Sequence, residues 1–193
     1  MKTVEEHLSA VLGRLAPLPD LEVTLLDAHG CVPAADIVSR RSLPPFDNSS
    51  MDGYAVRFDD VSAASEENPV ELPVVGDIAA GSGGAYAVNS GLCVRIMTGA
   101  PVPRGADSVI PVEWTDGGIA RVRILRAPVQ GQNIRRAGED VESGETVLTA
   151  GTSLGAPQIG LLAAIGLPRV RVRPRPRVVV FSTTTFTLGL TFT

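Results

Sequence analysis

The residues best suited to chemistry lie between positions 44 and 57, where two carboxylates, two serine hydroxyls and an amide stand close together. The prolines impose an extended backbone, Asp47 to Ser50 favours a turn, and Gly53 allows a close approach to a ligand. Grouped oxygen donors suit a hard cation such as Mg²⁺, which proteins hold through one or two carboxylates and a substrate phosphate. A polar turn between two strands would use the same residues, so both interpretations stay open.

Two later stretches carry further candidate groups. In residues 95–103 a predicted strand ends at Thr98, whose hydroxyl and neighbouring N–H groups suit an anion or a water. The alternative is a threonine that only closes a strand end. In residues 133–140 two guanidiniums precede two carboxylates. Arginine binds a phosphate or a molybdate-like oxyanion through paired donors, and Asp140 suits a cation or a water. A salt-bridged surface hairpin is the alternative for this stretch.

The elements that must position these groups are predicted to be mostly β. Aromatic residues make up only 4% of the 193 residues, while 20 glycines and 15 prolines are spread along the chain, which favours short strands and turns over a helical bundle. Short runs rich in Val and Ile alternate with Gly, Pro and Asp clusters. They predict strands at 53–57, 70–75, 91–97, 108–112, 119–125 and 145–148.

Two helices and three domain segments are predicted around this β region. Apolar residues spaced by three and four predict a helix over 3–15 with Thr3 as its cap, and a second helix over 156–165 stops at Gly166. We expect an α+β fold, mostly β. The expected domains are a first domain at 1–44 and 145–173, an inserted β domain at 45–144, and at 174–193 the opening strand of a truncated α/β domain.

The net charge and the cysteine content argue against nucleic-acid, membrane and zinc binding. The net charge of −4 opposes binding to nucleic acid or an anionic membrane, and the arginines that alternate from Arg169 to Arg177 fit one solvated face of a strand. Cys31 and Cys93 lack the spacing of a structural zinc site. Without an apolar leader or a run of 18 apolar residues, the sequence predicts a soluble cytoplasmic protein with neither nucleic-acid nor membrane partners.

Three stretches together resemble a known family. Residues 45–57 (PFDNSSMDGYAVR), 95–103 (RIMTGAPVP) and 133–140 (NIRRAGED) are similar, in the same order, to signature stretches of the MoeA family, the molybdopterin molybdenumtransferases. The resemblance extends over about residues 4–183. It implies an elongated first domain with an inserted β domain, followed by an α/β domain that binds the pterin.

The resemblance also implies an activity: Mg²⁺-assisted insertion of molybdate into adenylylated molybdopterin, with release of AMP, to give molybdenum cofactor. It implies a homodimer whose cleft lies between the β domain of one subunit and the α/β domain of the other, and contact with other cofactor-biosynthesis proteins. The implied catalytic residues are Asp52, Thr98 and Asp140, and Asp52 and Asp140 are also the implied metal ligands. The implied substrate-binding residues are Asp47, Ser50, Arg135 and Arg136.

The chain departs from the family pattern near its end. Family members continue the strand at 177–181 as Ser-Thr-Gly-Asp-Glu-Leu, whereas this chain continues from Ser182 through a run of threonines. We therefore expect a fragment or a frameshifted product that is incomplete as a catalyst. Two alternatives remain: a non-catalytic dimerisation or partner-binding module derived from the family, and an unrelated Mg²⁺-dependent phosphohydrolase that uses Asp47, Asp52 and Asp140.

Overall fold

The computed structural model describes residues 2–81 and 86–179, which fall into two compact units. One unit is Val38–Val147, and the other combines Met1–Ile37 with Leu148–Thr193. Most of the regular structure is β, as the sequence predicts. Since compactness does not test whether a unit folds alone, the expected boundaries of the inserted domain, 45–144, stay a prediction.

The described helices and strands are short and alternate with turns. In chain order they are α1 Val4–Leu12, β1 Leu21–Thr24, β2 Val32–Pro33, β3 Ile37–Val38, β4 Asn48–Ser49, β5 Gly53–Val56, α2 Phe58–Val61, β6 Val70–Ile78, β7 Cys93–Ile96, β8 Ser108–Pro111, β9 Arg121–Ile124, β10 Ile134–Arg135, β11 Thr146–Leu148, α3 Ala156–Ala164 and β12 Arg169–Arg173. All six strands predicted from the apolar runs are present, with ends shifted by a few residues.

A five-stranded sheet organises the unit Val38–Val147. Its order is β8-β5-β7-β6-β9, and only β6 and β7 run parallel. Side chains alternate across the sheet, so Tyr54 and Val56 join one apolar cluster while Ala55 joins the other. All four residues of β5 are buried because strands flank it on both sides and apolar side chains cover both faces.

Gly53 is needed for strand pairing at the start of β5. A Cβ at this position would overlap the backbone carbonyl oxygen of Ile110 on β8. A neighbouring strand therefore approaches Gly53 closely, whereas the sequence suggested a close approach to a ligand. The glycine sits directly after Asp52, so the tight pairing also fixes where that carboxylate leaves the sheet.

The turn expected at Asp47 to Ser50 is wrong in position. Asn48 and Ser49 are buried and form β4, which pairs antiparallel with β10. The chain bends after them, where the Ser49 hydroxyl donates to the carbonyl oxygen of Met51 at 2.6 Å. Strand pairing satisfies buried backbone groups that a turn would leave without partners, and this outweighs the local turn preference of the side chains.

The other unit contains the two longer helices and a three-stranded sheet of order β1-β12-β2. The predicted cap of α1 is confirmed, because the Thr3 hydroxyl accepts from the backbone N–H of Glu6 while the Glu6 carboxylate accepts from that of Thr3. Along β12 the arginines are exposed and the valines buried. Arg171 lies 3.2 Å from Asp20 across the sheet, so part of the basic stripe is paired with acids.

The strand expected at 178–181 lies partly outside the described residues, since residues 180–193 are not among them. Val178 and Val179 are exposed and belong to no regular element. Among the helices in residues 2–81 and 86–179, none has the length and apolar character needed to cross a membrane.

Replacement of Gly53 tests the strand pairing. We expect Gly53→Ala to lower the free energy of unfolding by about 1–3 kcal/mol, because the added Cβ forces β5 and β8 apart. Gly160→Ala in α3 is the control: it meets open space, and it should raise stability by about 0.5–1 kcal/mol through helix propensity. Urea unfolding followed by circular dichroism measures both, and an unchanged midpoint for Gly53→Ala would contradict the packing argument.

Candidate functional site

The candidate site is built around β4, which joins all three chemistry-bearing stretches through its backbone. On one side, Ser49 accepts from the N–H of Gly99 at 2.8 Å and donates its own N–H to Ala100 at 3.0 Å. On the other side, β4 pairs with β10, and the N–H of Ser50 donates to the carbonyl oxygen of Asn133 at 3.0 Å. Residues 47–52, 98–102 and 133–140 therefore meet in one hydrogen-bonded array.

Asp52 and Thr98 are brought into direct contact. The Asp52 Oδ1 atom accepts hydrogen bonds from both the backbone N–H and the hydroxyl of Thr98, each at 2.7 Å. A turn presents both donors: Gly99 has φ +78°, and the N–H of Ala100 donates to Met97 at 2.9 Å. Glycine adopts this left-handed conformation at no steric cost. The sequence predicted both residues as site residues but not their mutual contact.

These two hydrogen bonds lower the pKa of Asp52. The backbone N–H of Thr98 is the largest influence that lowers the pKa of Asp52, followed by the Thr98 hydroxyl, while slight burial opposes them and the charge of Arg95 adds to the lowering. The carboxylate is exposed and ionised at neutral pH. It can therefore orient a water or bind a cation, and among residues 2–81 and 86–179 no arginine or lysine forms a direct ion pair with it.

The acids of the first and third stretches are each held by an arginine. Arg136 Nη1 lies 2.7 Å from Asp47 Oδ2, and the backbone N–H of Ala137 donates to the other Asp47 oxygen at 2.8 Å. Hydrogen bonding from Ala137, then from Arg136, lowers the pKa of Asp47. Arg135 Nη2 lies 2.7 Å from Asp140 Oδ2. All four charged side chains are about half exposed, the geometry of surface ion pairs.

The donor set around Asp52 fits Mg²⁺ only as an ion held largely by substrate and water. Within residues 2–81 and 86–179 there is no group of three or more His, Cys, Asp or Glu side chains that could hold a metal. One ionised, exposed carboxylate is nevertheless the usual protein contribution to Mg²⁺ bound with a phosphate. Asp140 would have to share its carboxylate with Arg135. Burial raises the pKa of Cys93 to about 12, and its thiol donates to the backbone carbonyl oxygen of Pro73 at 3.4 Å.

Sequence reasoning missed Arg95, whose charge acts on Asp52, and its ion-pair partner Asp77. Arg95 on β7 lies opposite Tyr54 of β5 and opposite Asp77 of β6 in the sheet register. Its Nη1 atom is 3.7 Å from Asp77 Oδ2. Both line a surface cavity of about 290 Å³. The alternation along residues 91–97 predicts the sheet face on which Arg95 lies, but it does not predict which residues of the neighbouring strands lie opposite it.

Residues 2–166 match a family model described as "MoeA N-terminal region (domain I and II)". The chain is 47% identical over 183 residues to molybdopterin molybdenumtransferase 2 of Mycobacterium tuberculosis. The aligned region covers 95% of this chain and 45% of that protein. It is 42% identical over 161 residues to the molybdopterin molybdenumtransferase of a Nostoc species, with coverage of 83% and 37%. The chain thus spans less than half the length of these relatives.

Solved structures are similar to this chain as well. A crystal structure of the molybdopterin biosynthesis moeA protein from Pyrococcus horikoshii aligns with a TM-score of 0.78 and 34% identity, over 91% of this chain and 45% of that one. A second structure of the protein from that organism aligns with a TM-score of 0.77 and 39% identity, over 80% and 41%. At these identities the likeness concerns the sequence as well as the fold.

The hydrogen bond from the Thr98 hydroxyl to Asp52 can be tested by measuring the pKa of Asp52. We expect Thr98→Val to raise the pKa of Asp52 toward the ordinary aspartate value, but only partly, because the backbone N–H of residue 98 still donates. Carboxyl ¹³C chemical shifts followed by NMR across acid pH measure this. Ionised Asp52 favours the folded state above its unfolded pKa, and this contribution is lost as pH falls through the lowered folded pKa.

Asp116 provides an internal control in the same titration. Its pKa is lowered chiefly by the backbone N–H of Arg123, which the substitution at Thr98 does not touch. The pKa of Asp116 should therefore stay unchanged. Equal shifts at Asp52 and Asp116 would show a general disturbance of the unit, and no shift at Asp52 would contradict the assigned hydrogen bond.

Proposed function

Because this chain belongs to the MoeA family, we propose that it supplies part of a molybdopterin molybdenumtransferase, which inserts molybdate into adenylylated molybdopterin with Mg²⁺ and releases AMP. The observation that carries this proposal is the Asp52–Thr98 contact within the array that joins the three stretches. Molybdate and the adenylylated pterin are the substrates. The reaction cleaves a phosphoanhydride and places the metal on the dithiolene sulfurs.

Asp52 and Thr98 are proposed as catalytic residues with separate roles. Asp52 is ionised and exposed, so it can orient a water or a cation at the phosphoanhydride. The hydroxyl proton of Thr98 is committed to Asp52, so its oxygen lone pairs are the part that faces a ligand. Mg²⁺, when bound, would neutralise phosphate charge during bond cleavage. Asp52 would hold it, together with Asp140 if that residue loosens its contact with Arg135.

The remaining predicted residues are proposed for substrate binding. Arg135 and Arg136 have donors of the right geometry for phosphate oxygens, although carboxylates occupy them here. Exposed ion pairs stabilise a protein by only about 0.2–1 kcal/mol each, so a ligand phosphate can replace a carboxylate at small cost. Asp47 and Ser50 lie beside these arginines, because β4 pairs with β10. Both are proposed to position them.

A second candidate function is a dimerisation or partner-binding module, and α1 favours it. This helix has no buried residue and leaves Val4, Leu8 and Leu12 between 55% and 80% exposed. A continuous apolar face of this kind is typical of a helix that packs against another chain. We propose a cytoplasmic homodimer, which is compatible with the catalytic proposal as well as with a non-catalytic module.

The catalytic proposal is tested by AMP release. The chain is incubated with adenylylated molybdopterin, molybdate and Mg²⁺, and AMP is quantified by chromatography. We expect release that depends on molybdate and that falls about 100-fold or more in Asp52→Ala, because the ionised carboxylate at the site is lost. Glu66→Ala is the control, since it removes one exposed carboxylate of the same unit that makes no hydrogen bond or ion pair among the described residues.

Equal release from the wild-type chain and Asp52→Ala would contradict a catalytic role for Asp52. Absence of release from every variant would contradict the expected release and would show that this chain is incomplete as a catalyst when alone. The non-catalytic module would then be favoured.

The dimer is tested by light scattering at micromolar concentration. We expect the mass of two chains for the wild type and a shift toward one chain for Leu8→Asp, because a charge on the apolar face of α1 opposes its burial. Ser9→Asp adds the same charge to the same helix off that face, and it should leave the mass unchanged. A strictly monomeric wild-type chain would contradict the proposed dimer and the module alike.

A further inference from the structure

Arg95 makes the weakest ion pair of the three arginines that lie in or beside the candidate site. Its Nη1 atom is 3.7 Å from Asp77 Oδ2, too far for a hydrogen bond. Arg135 and Arg136 each reach a carboxylate oxygen at 2.7 Å. Among the residues that the structure describes, the guanidinium of Arg95 therefore has no hydrogen-bond partner, while those of the other two are engaged.

The sheet holds Arg95 close to the catalytic pair. Arg95 lies opposite Tyr54 on β5, two residues after Asp52, and on β7 it comes three residues before Thr98. Its positive charge is one of the influences that lower the pKa of Asp52. Because Arg95 is on a paired strand, its backbone position is fixed, and only the side chain has to move to reach a ligand.

The Arg95 side chain faces a cavity with a mixed lining. The cavity has a volume of about 290 Å³ and is lined by Val74, Val75, Gly76, Asp77, Arg95 and Ile119. Small-molecule sites of about 300–1,000 Å³ combine an apolar wall with a few polar groups that fix orientation. Here the polar groups are one guanidinium and one carboxylate, so an anion in the cavity would compete with Asp77 for the guanidinium of Arg95.

From these observations we propose that Arg95 binds a tetrahedral oxyanion in this cavity by exchanging its loose contact with Asp77 for the anion. The anion is the phosphate of a nucleoside monophosphate group or molybdate, which share geometry and charge. The inference rests on the proposed function, since both anions belong to that reaction. Asp77 acts as a competing partner that keeps Arg95 paired when the anion is absent.

The energetics of the exchange favour the anion. An exposed ion pair without a hydrogen bond stabilises little, whereas a guanidinium donates two parallel hydrogen bonds to a phosphate-like group. The two carboxylates near Arg95, Asp52 and Asp77, repel an anion, so its affinity is limited by them. Removal of the Asp77 charge should therefore tighten binding, while removal of Arg95 should weaken it. The two halves of one ion pair are predicted to act in opposite directions.

The test measures binding of AMP and of molybdate separately, by isothermal titration calorimetry on the whole chain with Mg²⁺ at fixed ionic strength. For at least one anion we expect Arg95→Ala to weaken binding about tenfold or more and Asp77→Asn to tighten it about two- to fivefold. Arg95→Lys, which keeps the charge without the paired donors, should fall between the wild type and Arg95→Ala. The anion that responds identifies the source.

Two variants control for net charge alone. Arg40→Ala and Glu66→Gln change the charge of the same unit by equal amounts at exposed positions away from the cavity, and both should leave affinity unchanged. Circular dichroism and a urea midpoint establish that each variant folds. If Arg95→Ala and Asp77→Asn shift affinity in the same direction, or if neither anion binds the wild-type chain, the inference is overturned.

The proposed function can fail separately from this inference. Loss of AMP release with retained, Arg95-dependent anion binding would refute the activity alone. Release that depends on Asp52 while both anions bind Arg95→Ala like the wild type would refute the role of Arg95 alone.

Discussion

The pairing of the two-residue strand β4 is the constraint on which the candidate site depends. Buried backbone N–H and C=O groups need partners, and β4 finds them on one side at Gly99 and Ala100 and on the other in β10. The side chains reinforce it: the Asn48 amide donates to the Phe46 carbonyl oxygen at 3.1 Å. Because both flanks are hydrogen-bonded, three stretches that are far apart in sequence acquire a fixed register. The positions of Asp52, Thr98 and the paired arginines follow from it.

Within that array the carboxylates differ in what compensates their charge. Asp47 and Asp140 face guanidiniums, so each forms a pair with no net charge. Asp52 receives its two hydrogen bonds from a neutral backbone N–H and a neutral hydroxyl, which lower its pKa but leave a full negative charge at the surface. Because the donors are neutral, Asp52 keeps its full negative charge and can attract a cation. This difference makes Asp52 the better candidate for chemistry, and Asp47 and Asp140 the better candidates for holding arginines in place.

Part of this arrangement could be predicted from the sequence. Runs of Val and Ile located the strands, and Thr3 with Glu6 located the start of α1, because both signals act between near neighbours. The pairing of β4 could not be predicted, since its partners are residues about 50 and 85 positions away and its own side chains favour a turn. The Arg95–Asp77 contact was missed for the same reason: it depends on the parallel register of β6 and β7, and no local pattern encodes that register.

The exposure of these charged groups has a consequence for selectivity. In contact with water each ion pair contributes little, so the arginines can change partners at small cost. A ligand that covers the array excludes water, and the same charges then interact through a lower effective dielectric and more strongly. The pairing of β4 with β10 fixes where Arg135 and Arg136 leave the array, and their exposed ion pairs can be exchanged at small cost, so selectivity would depend on the charges that a ligand presents to them.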